Sequence, residues 1–262
     1  MTPEYFDIHS HINFSDYSED QVDLLKQMKE SAVWTTAVGV DLEKSKEAVE
    51  LAEKNEGVFA CIGVHPADDV NQSFEVSKFE SLVSHPKVVA IGECGLDYFR
   101  MTGDATIEKK RQKDLFEQQI NFAIEHQKLL MIHCREAYED ATDILESYSR
   151  KFGDKLWGNA HFFAGGMEIG KRLLNINFSL SFTGVITFTH DYDEVIRMTP
   201  LDMIMSETDA PYVAPVPFRG KKNSPVYVKY VAEKIAEIRG GDLETVKKTL
   251  VQNALTRFKI RA

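Results

Sequence analysis

Two histidines, His9 and His11, lie one residue apart near the start of the chain. Residues i and i+2 of a β-strand point to the same face, so both imidazoles can reach one ion. Four more residues of metal-binding type follow apolar runs further along the chain, namely Glu93, His133, His161 and Asp209. A lone histidine is more often an ordinary surface or core residue than a ligand. The pattern therefore predicts a metal site only if the fold brings these residues together.

Short apolar runs alternate with amphipathic helical segments along the whole chain. The predicted strands are 5–9, 32–40, 58–64, 88–92, 129–133, 159–163, 178–182 and 203–207. The predicted helices are 20–29, 42–54, 75–84, 106–126, 136–150, 167–174, 192–198, 225–239 and 242–258. Asp242, behind Gly240 and Gly241, is the predicted N-cap of the last helix.

Eight strands, each followed by a helix, predict an α/β fold of the (β/α)8 or TIM-barrel type, a fold that usually has about 250 residues. No linker rich in Pro, Gly or Ser interrupts the pattern, so we expect a single domain over residues 1–262. A doubly wound open sheet has the same alternation and is the alternative. The sequence contains neither G-x-G-x-x-G after the first strand nor a P-loop, which favours the barrel.

The carboxyl ends of barrel strands converge on one mouth, where four imidazoles and two carboxylates would meet. Donors of these two kinds suit Zn²⁺, Mn²⁺ or Fe²⁺, and they tolerate Mg²⁺ where carboxylate and water dominate. A catalytic zinc uses only three protein ligands. Two ions bridged by a carboxylate would account for the surplus, and paired ions act on displacements at phosphorus. The pattern therefore predicts a hydrolytic site.

Composition limits the class of protein. The net charge is −10, which argues against a protein that coats nucleic acid by bulk electrostatics but not against an enzyme with a few local cations. Three cysteines at unpatterned positions do not make a disulfide framework. We find neither a secretory leader nor an apolar run that could span a bilayer. We therefore expect a cytoplasmic monomer with no membrane partner.

The chain resembles the TatD family of metal-dependent hydrolases, within the amidohydrolase-like barrels, from the first strand to the last helices. The motifs that carry the resemblance are Asp7-Ile8-His9-Ser10-His11, Gly63-Val64-His65-Pro66, Ile91-Gly92-Glu93-Cys94-Gly95-Leu96-Asp97-Tyr98, Ile132-His133-Cys134-Arg135 and Glu207-Thr208-Asp209-Ala210-Pro211-Tyr212. The third and fifth motifs are specific to the family, whereas His-x-His is shared across a broad superfamily.

The resemblance implies a deoxyribonuclease of the 3′→5′ exonuclease type that needs two divalent ions (Mg²⁺, Mn²⁺ or Zn²⁺) and acts on single-stranded or frayed DNA. It assigns one ion to His9, His11 and Asp209. It assigns the second ion to His133 and His161, with Glu93 as the bridge. Asp209 would also act as the general base. His65 and Arg135 match positions that face the substrate phosphate.

Other residues near the predicted mouth have more than one interpretation. Arg219, in the loop after the eighth strand, is expected to bind a phosphate, while Lys221 and Lys222 fit either substrate binding or solvation. Aromatic residues could stack on bases or pack; they are Tyr98, Phe99 and Tyr212. Asp97 could orient a ligand or cap a loop. Two other functions stay open, hydrolysis of a small amide, lactone or phosphoester and metal binding without turnover.

Overall fold

The computed structural model describes residues 2–69, 71 and 73–261. Eight parallel strands form one sheet in sequence order, which confirms the predicted TIM barrel and excludes the doubly wound alternative. The strands are β1 (Tyr5–Ser10), β2 (Val33–Val38), β3 (Val58–Ile62), β4 (Val88–Asp97), β5 (Leu129–Arg135), β6 (Gly158–Ala160), β7 (Phe178–Phe182) and β8 (Ile204–Ser206).

Helices follow the strands around the outside of the barrel. They are α1 (Gln21–Glu30), α2 (Leu42–Lys54), α3 (Val76–Val83), α4 (Ala105–Glu125), α5 (Tyr138–Phe152), α6 (Met167–Asn175), α7 (Asp193–Met198), α8 (Val228–Arg239) and α9 (Leu243–Arg257). Asp242 is the N-cap of α9, as predicted, because its carboxylate accepts a hydrogen bond from the Thr245 amide. None of the described helices is long and apolar enough to cross a bilayer.

The first and the last strand close the barrel beyond the end of β8. The Asp209 amide donates to the His9 carbonyl at 2.9 Å, and the His11 amide donates to the Ala210 carbonyl at 2.7 Å. These two hydrogen bonds fix the loop after β8 against the end of β1. The chain segment that carries Asp209 is therefore held beside the histidine pair.

A small apolar cluster closes the amino-terminal end of the barrel and reaches the floor of the mouth. Phe6 in β1 stacks on Phe59 in β3, and Phe258, directly after α9, packs against Phe6 with ring centroids 5.8 Å apart. Met131 belongs to the same cluster, and its Sδ lies 3.0 Å from Nδ1 of His9. The packing below the mouth thus contacts the ring of a predicted ligand directly.

Most strand boundaries differ from the predicted ones by a few residues, and three of these differences change where the predicted ligands lie. β4 continues past residue 92 to Asp97, so Glu93 lies inside the strand and does not follow it. β6 ends at Ala160 and β8 ends at Ser206. His161 therefore follows β6 instead of lying within it, and Asp209 lies in the loop after β8 instead of ending the strand. All of these positions are at the same mouth.

Candidate metal centre

Glu93 lies at the centre of the six predicted ligands, and its two carboxylate oxygens face different histidines. Oε2 is 3.3 Å from Nε2 of His9 and 3.7 Å from Nε2 of His11. Oε1 is 2.9 Å from Nδ1 of His133 and 3.0 Å from Nε2 of His161. The carboxylate thus lies between two pairs of predicted imidazole ligands, and Nε2 of His65 is a further 3.7 Å neighbour of Oε1.

Asp209 completes the group on the β1 side. Its Oδ1 is 3.5 Å from Nε2 of His11 and 3.8 Å from Nε2 of His9, and the two histidine nitrogens are 3.3 Å apart. His11 points its other nitrogen, Nδ1, at the carbonyl oxygen of Val38, 3.2 Å away. In neutral His11 this hydrogen bond places the proton on Nδ1 and leaves the lone pair of Nε2 for an ion, whereas in protonated His11 Nε2 donates to Asp209.

These donor atoms fit a divalent ion. Ligands about 2.0–2.1 Å from a tetrahedral zinc are separated by about 3.3–3.4 Å, which is close to the spacing of the histidine nitrogens and carboxylate oxygens here. Two groups have all donor atoms within 4.8 Å of one another and are buried throughout; they are His9, Glu93 and His161, and His9, His11 and Asp209. Nδ1 of His161 is buried and forms no hydrogen bond. The orientation of the His161 ring is therefore not fixed by a hydrogen bond on that side.

Burial and mutual contacts set the charges of the group. Burial alone would raise the pKa of Glu93, but the charges of His161 and His9 and the hydrogen bonds from His133 and His161 hold it well below its usual range. Burial lowers the pKa of His9, and the neighbouring His161 lowers it further. The ionised carboxylate and the neutral His9 are the protonation states that bind metal.

Two glycines allow β4 to carry Glu93 close to β5. Gly92 has φ of 148° and Gly95 has φ of 138°, values that side-chain-bearing residues rarely adopt. A Cβ on Gly95 would collide with the backbone oxygen of His133, and a Cβ on Gly92 would collide with that of Met131. The glycines of this motif are therefore required by the close approach of the two ligand-bearing strands.

Asp97 and Arg100 support His133 from outside the group. Oδ2 of Asp97 is 3.1 Å from Nε2 of His133 and accepts from Nε of Arg100 at 2.7 Å. Asp97 thus orients a predicted ligand and also accepts the Arg100 amide in the following loop, so both of its predicted roles apply. His65, Asp97 and His133 form a third close group, but the Arg100 guanidinium, 3.0 Å from Nε2 of His65, disfavours a cation there.

Two further buried carboxylates were not predicted from the sequence as parts of the site. Glu207 accepts hydrogen bonds from the Phe162 amide and the Ser181 hydroxyl, and its Oε1 is 3.6 Å from Nδ1 of His161. Asp7 accepts from the amide and the hydroxyl of Thr208, at 2.8 and 2.6 Å. Asp7 lies two residues before the ligand His9, and Glu207 lies two residues before the ligand Asp209. This closeness in sequence was the only local indication that they belong to the site.

A cavity of about 560 Å³ opens above the six residues. His65 lines it, but its ring is buried, and it lies between Asp68, 3.1 Å from Nδ1, and Arg100. Arg135 also lines the cavity and is exposed, with its guanidinium over the ring of Phe99. Arg100 is a second arginine in the lining, which the sequence did not single out.

The basic residues in the loop after β8 differ in their contacts: Arg219 has no carboxylate partner among the described residues, whereas Lys222 forms a salt bridge. Arg219 is exposed and lies over the ring of Phe188, 3.9 Å from its centroid. Lys222 donates to Asp20 at 2.6 Å and lies over Tyr17, so it connects this loop to the start of α1. Tyr98 is partly buried and donates to Asp140, which identifies it as a packing residue.

The barrel, the buried histidine–carboxylate group at its mouth and the cavity above it are the arrangement expected of a metal-dependent hydrolase. The family model for TatD-related DNase matches residues 6–259. The chain therefore belongs to the TatD family, as the motifs predicted.

Individual relatives agree with this assignment. The uncharacterized metal-dependent hydrolase YabD of Bacillus subtilis is 37% identical over 259 residues, which cover 97% of this chain and 99% of YabD. The uncharacterized metal-dependent hydrolase YcfH of Escherichia coli K12 is 34% identical and covers 98% of this chain and 96% of its own length. The crystal structure of YjjV, a TatD homolog from Escherichia coli K12, superposes with a TM-score of 0.88 over the whole of both chains at 24% identity, which shows the common fold.

Proposed function

We propose that this metal-dependent hydrolase is a phosphodiesterase that acts on DNA, of the 3′→5′ exonuclease type, and that it uses two divalent ions. The family it belongs to is described by DNase activity. The donor set and the arginines around the cavity are consistent with a substrate that carries phosphate. Single-stranded or frayed DNA ends are the proposed substrate.

The observation that carries the two-ion proposal is the position of Glu93. One of its oxygens faces His9 and His11, and the other faces His133 and His161. A carboxylate that bridges two ions presents one oxygen to each. His9, His11 and Asp209 would hold the first ion, and His133 and His161 would hold the second.

Divalent ions at such sites polarise the phosphoryl oxygen and lower the pKa of water. The chain supplies the proton acceptor. Burial alone would raise the pKa of Asp209, but the hydrogen bond from His11 and the charges of the nearby histidines hold it below its ordinary value. Its carboxylate is therefore ionised and can accept a proton from the attacking water.

Positive groups around the cavity would orient the phosphate. Arg135 lines the cavity, and Arg219 lies outside its lining in the loop after β8; both are exposed and can each donate two parallel hydrogen bonds to phosphate oxygens. His65 is buried at the edge of the cavity and accepts a hydrogen bond from Arg100. In this proposal it reaches the phosphate only at that edge. The phosphate would thus be held between the ligand group and the arginines.

The experiment is a cleavage assay on single-stranded DNA labelled at either the 3′ or the 5′ end, with Mg²⁺, Mn²⁺ or Zn²⁺. We expect mononucleotides to be released from the 3′ end and chelator to abolish the release. Glu93→Ala serves as the blank. Asp209→Asn removes the general base and the charge of one ligand, so it should lose turnover and bind the ion at His9 and His11 more weakly.

A panel of small amides, lactones and phosphomonoesters separates the competing functions. Turnover of one of these with no release of nucleotide from any DNA end would replace the proposal with a small-molecule hydrolase. Bound metal with no turnover of any panel member would identify a binding protein.

A further inference from the structure

The exposed large apolar and aromatic side chains among the described residues all lie on one face of the barrel. They are Val22, Val76, Phe99, Ile107, Met167, Phe188, Tyr212 and Val216. Each lies in a loop that follows a strand or in the first turn of the helix after it. The mouth face, defined by these eight residues, surrounds the candidate metal centre.

Two of the aromatic rings on the mouth face each lie under an arginine. The Arg135 guanidinium is 3.7 Å from the ring centroid of Phe99, and the Arg219 guanidinium is 3.9 Å from that of Phe188. Phe99 is 55% exposed and Phe188 is 36% exposed, so neither ring serves mainly to fill the core. We call these contacts the two Phe–Arg pairs.

Neither arginine forms a salt bridge with any described residue, although the chain has ten more acidic than basic side chains. Arg100, at the same mouth, pairs with both Asp97 and Asp68, and Arg172 pairs with three carboxylates. Two guanidinium groups left without a carboxylate in an acidic protein keep all their donors available for an anion. Their stacking on a ring fixes the plane in which those donors lie.

The two Phe–Arg pairs lie on different flanks of the candidate metal centre. The first joins the end of β5 to the loop after β4, and the second joins the loops after β7 and β8. His161, directly after β6, lies between them in the order of strands around the barrel. Arg135 of the first pair lines the cavity, and the second pair lies beyond the cavity lining on the other side. A linear substrate longer than the cavity, with its phosphate at the metal centre, would therefore extend towards one pair on each side.

We propose that the two Phe–Arg pairs are base-stacking platforms that bind the unpaired bases flanking the scissile phosphate, and so select single-stranded over double-stranded DNA. This inference rests on the proposed function and adds that the protein recognises the unpaired bases of its substrate. Unpaired bases stack on aromatic rings and on guanidinium planes, whereas bases inside a duplex are already stacked on their neighbours. The guanidinium edges contact backbone phosphates at the same time.

The test measures kcat/KM of the metal-loaded enzyme on a single-stranded oligonucleotide and on the same oligonucleotide with abasic residues throughout, which has equal charge and no bases. Phe99→Ala and Phe188→Ala should each lower kcat/KM on the normal strand by about 5- to 150-fold, the range for loss of one stacked base. On the abasic strand, which the parent cleaves more slowly, the same substitutions should have little further effect. Ile107→Ala, which removes an exposed apolar side chain that has no arginine over it, is the matched control and should have no effect on either strand.

The outcomes are distinguishable. If the parent cleaves DNA and the two phenylalanine variants cleave the normal strand as fast as the parent, the stacking proposal is wrong and the nuclease proposal stands. An equal loss on normal and abasic strands would also overturn stacking, because the rings would then serve only to place the arginines. If the parent cleaves no DNA with any metal, the proposed function fails first and this inference with it. Phe99→Trp, which keeps a π face, should retain activity if stacking is correct.

Discussion

His133 and Asp97 are in contact across 3.1 Å, and the opposite nitrogen of the same imidazole is 2.9 Å from Glu93. A histidine that donates one N–H to a carboxylate is held in one tautomer, and its other nitrogen is presented as a ligand. Arg100 in turn binds Asp97 through both its side chain and its backbone amide. The orientation of His133 therefore depends on residues that do not touch the proposed ions.

Asp97→Asn should weaken binding of the ion at His133 by about 10- to 100-fold, the usual effect of removing the carboxylate behind a ligating histidine. Competition with a chromogenic chelator measures the affinity. Asp140→Asn is the matched control, because Asp140 accepts a hydrogen bond from Tyr98 on the same flank of the barrel without contacting any predicted ligand. Equal metal affinity in Asp97→Asn and the parent would show that His133 does not depend on Asp97.

The two-ion proposal predicts the metal content of three variants. His11→Ala should lose the ion on the β1 side and keep the other, and His161→Ala should do the reverse. Glu93→Ala should lose both, since the bridging carboxylate serves each ion. Elemental analysis after dialysis gives the number of ions per chain. A parent that holds one ion per chain at saturating metal would contradict the proposal.

Metal binding should raise the thermal stability of the protein, because a buried group of histidines and carboxylates is stabilised by the cation that fills it. A metal concentration about 100-fold above Kd contributes about 2.7 kcal/mol to the free energy of unfolding. For a chain near this size, that corresponds to a rise in Tm of roughly 5–10 °C. Differential scanning calorimetry with and without chelator measures the shift, and Glu93→Ala should show almost none.

Thr208→Val should destabilise the protein by about 1–3 kcal/mol, since it removes the hydroxyl that donates to Asp7 and leaves a buried carboxyl oxygen without that partner. The free energy of unfolding in urea measures the loss. Thr189→Val is the control, because the Thr189 hydroxyl also donates to an aspartate, Asp191, but at an exposed site. A similar small effect of both substitutions would show that the contact between Asp7 and Thr208 does not stabilise the closure of the barrel.

The sequence predicted the parts of the fold that depend on local pattern. Apolar runs located all eight strands, and the barrel rule then placed Glu93 and His133 at one mouth, where the structure has them. Strand ends were less predictable. β4 extends to Asp97 because it pairs with β5 up to Arg135, and that pairing depends on a partner strand about 40 residues away.

Residues that act through distant partners could not be predicted from local pattern. Asp7 belongs to the first motif, but its partner Thr208 lies 201 positions later, so no local pattern predicts their contact. Arg100 is likewise recognised only from its contacts with Asp68 and His65. The sequence predicted that Arg219 binds phosphate. It did not indicate that Arg219 stacks on Phe188, because Phe188 lies in a different loop.

The closure of the barrel between β1 and the loop after β8 has a consequence during protein synthesis. His9 and His11 leave the ribosome long before Asp209, which completes their donor group and follows them by most of the length of the barrel. Until then the two histidines have no carboxylate from the loop after β8 beside them. Assembly of this donor group is therefore a late event in the life of the nascent chain, and a product of premature termination before β8 presents the histidine pair without Asp209.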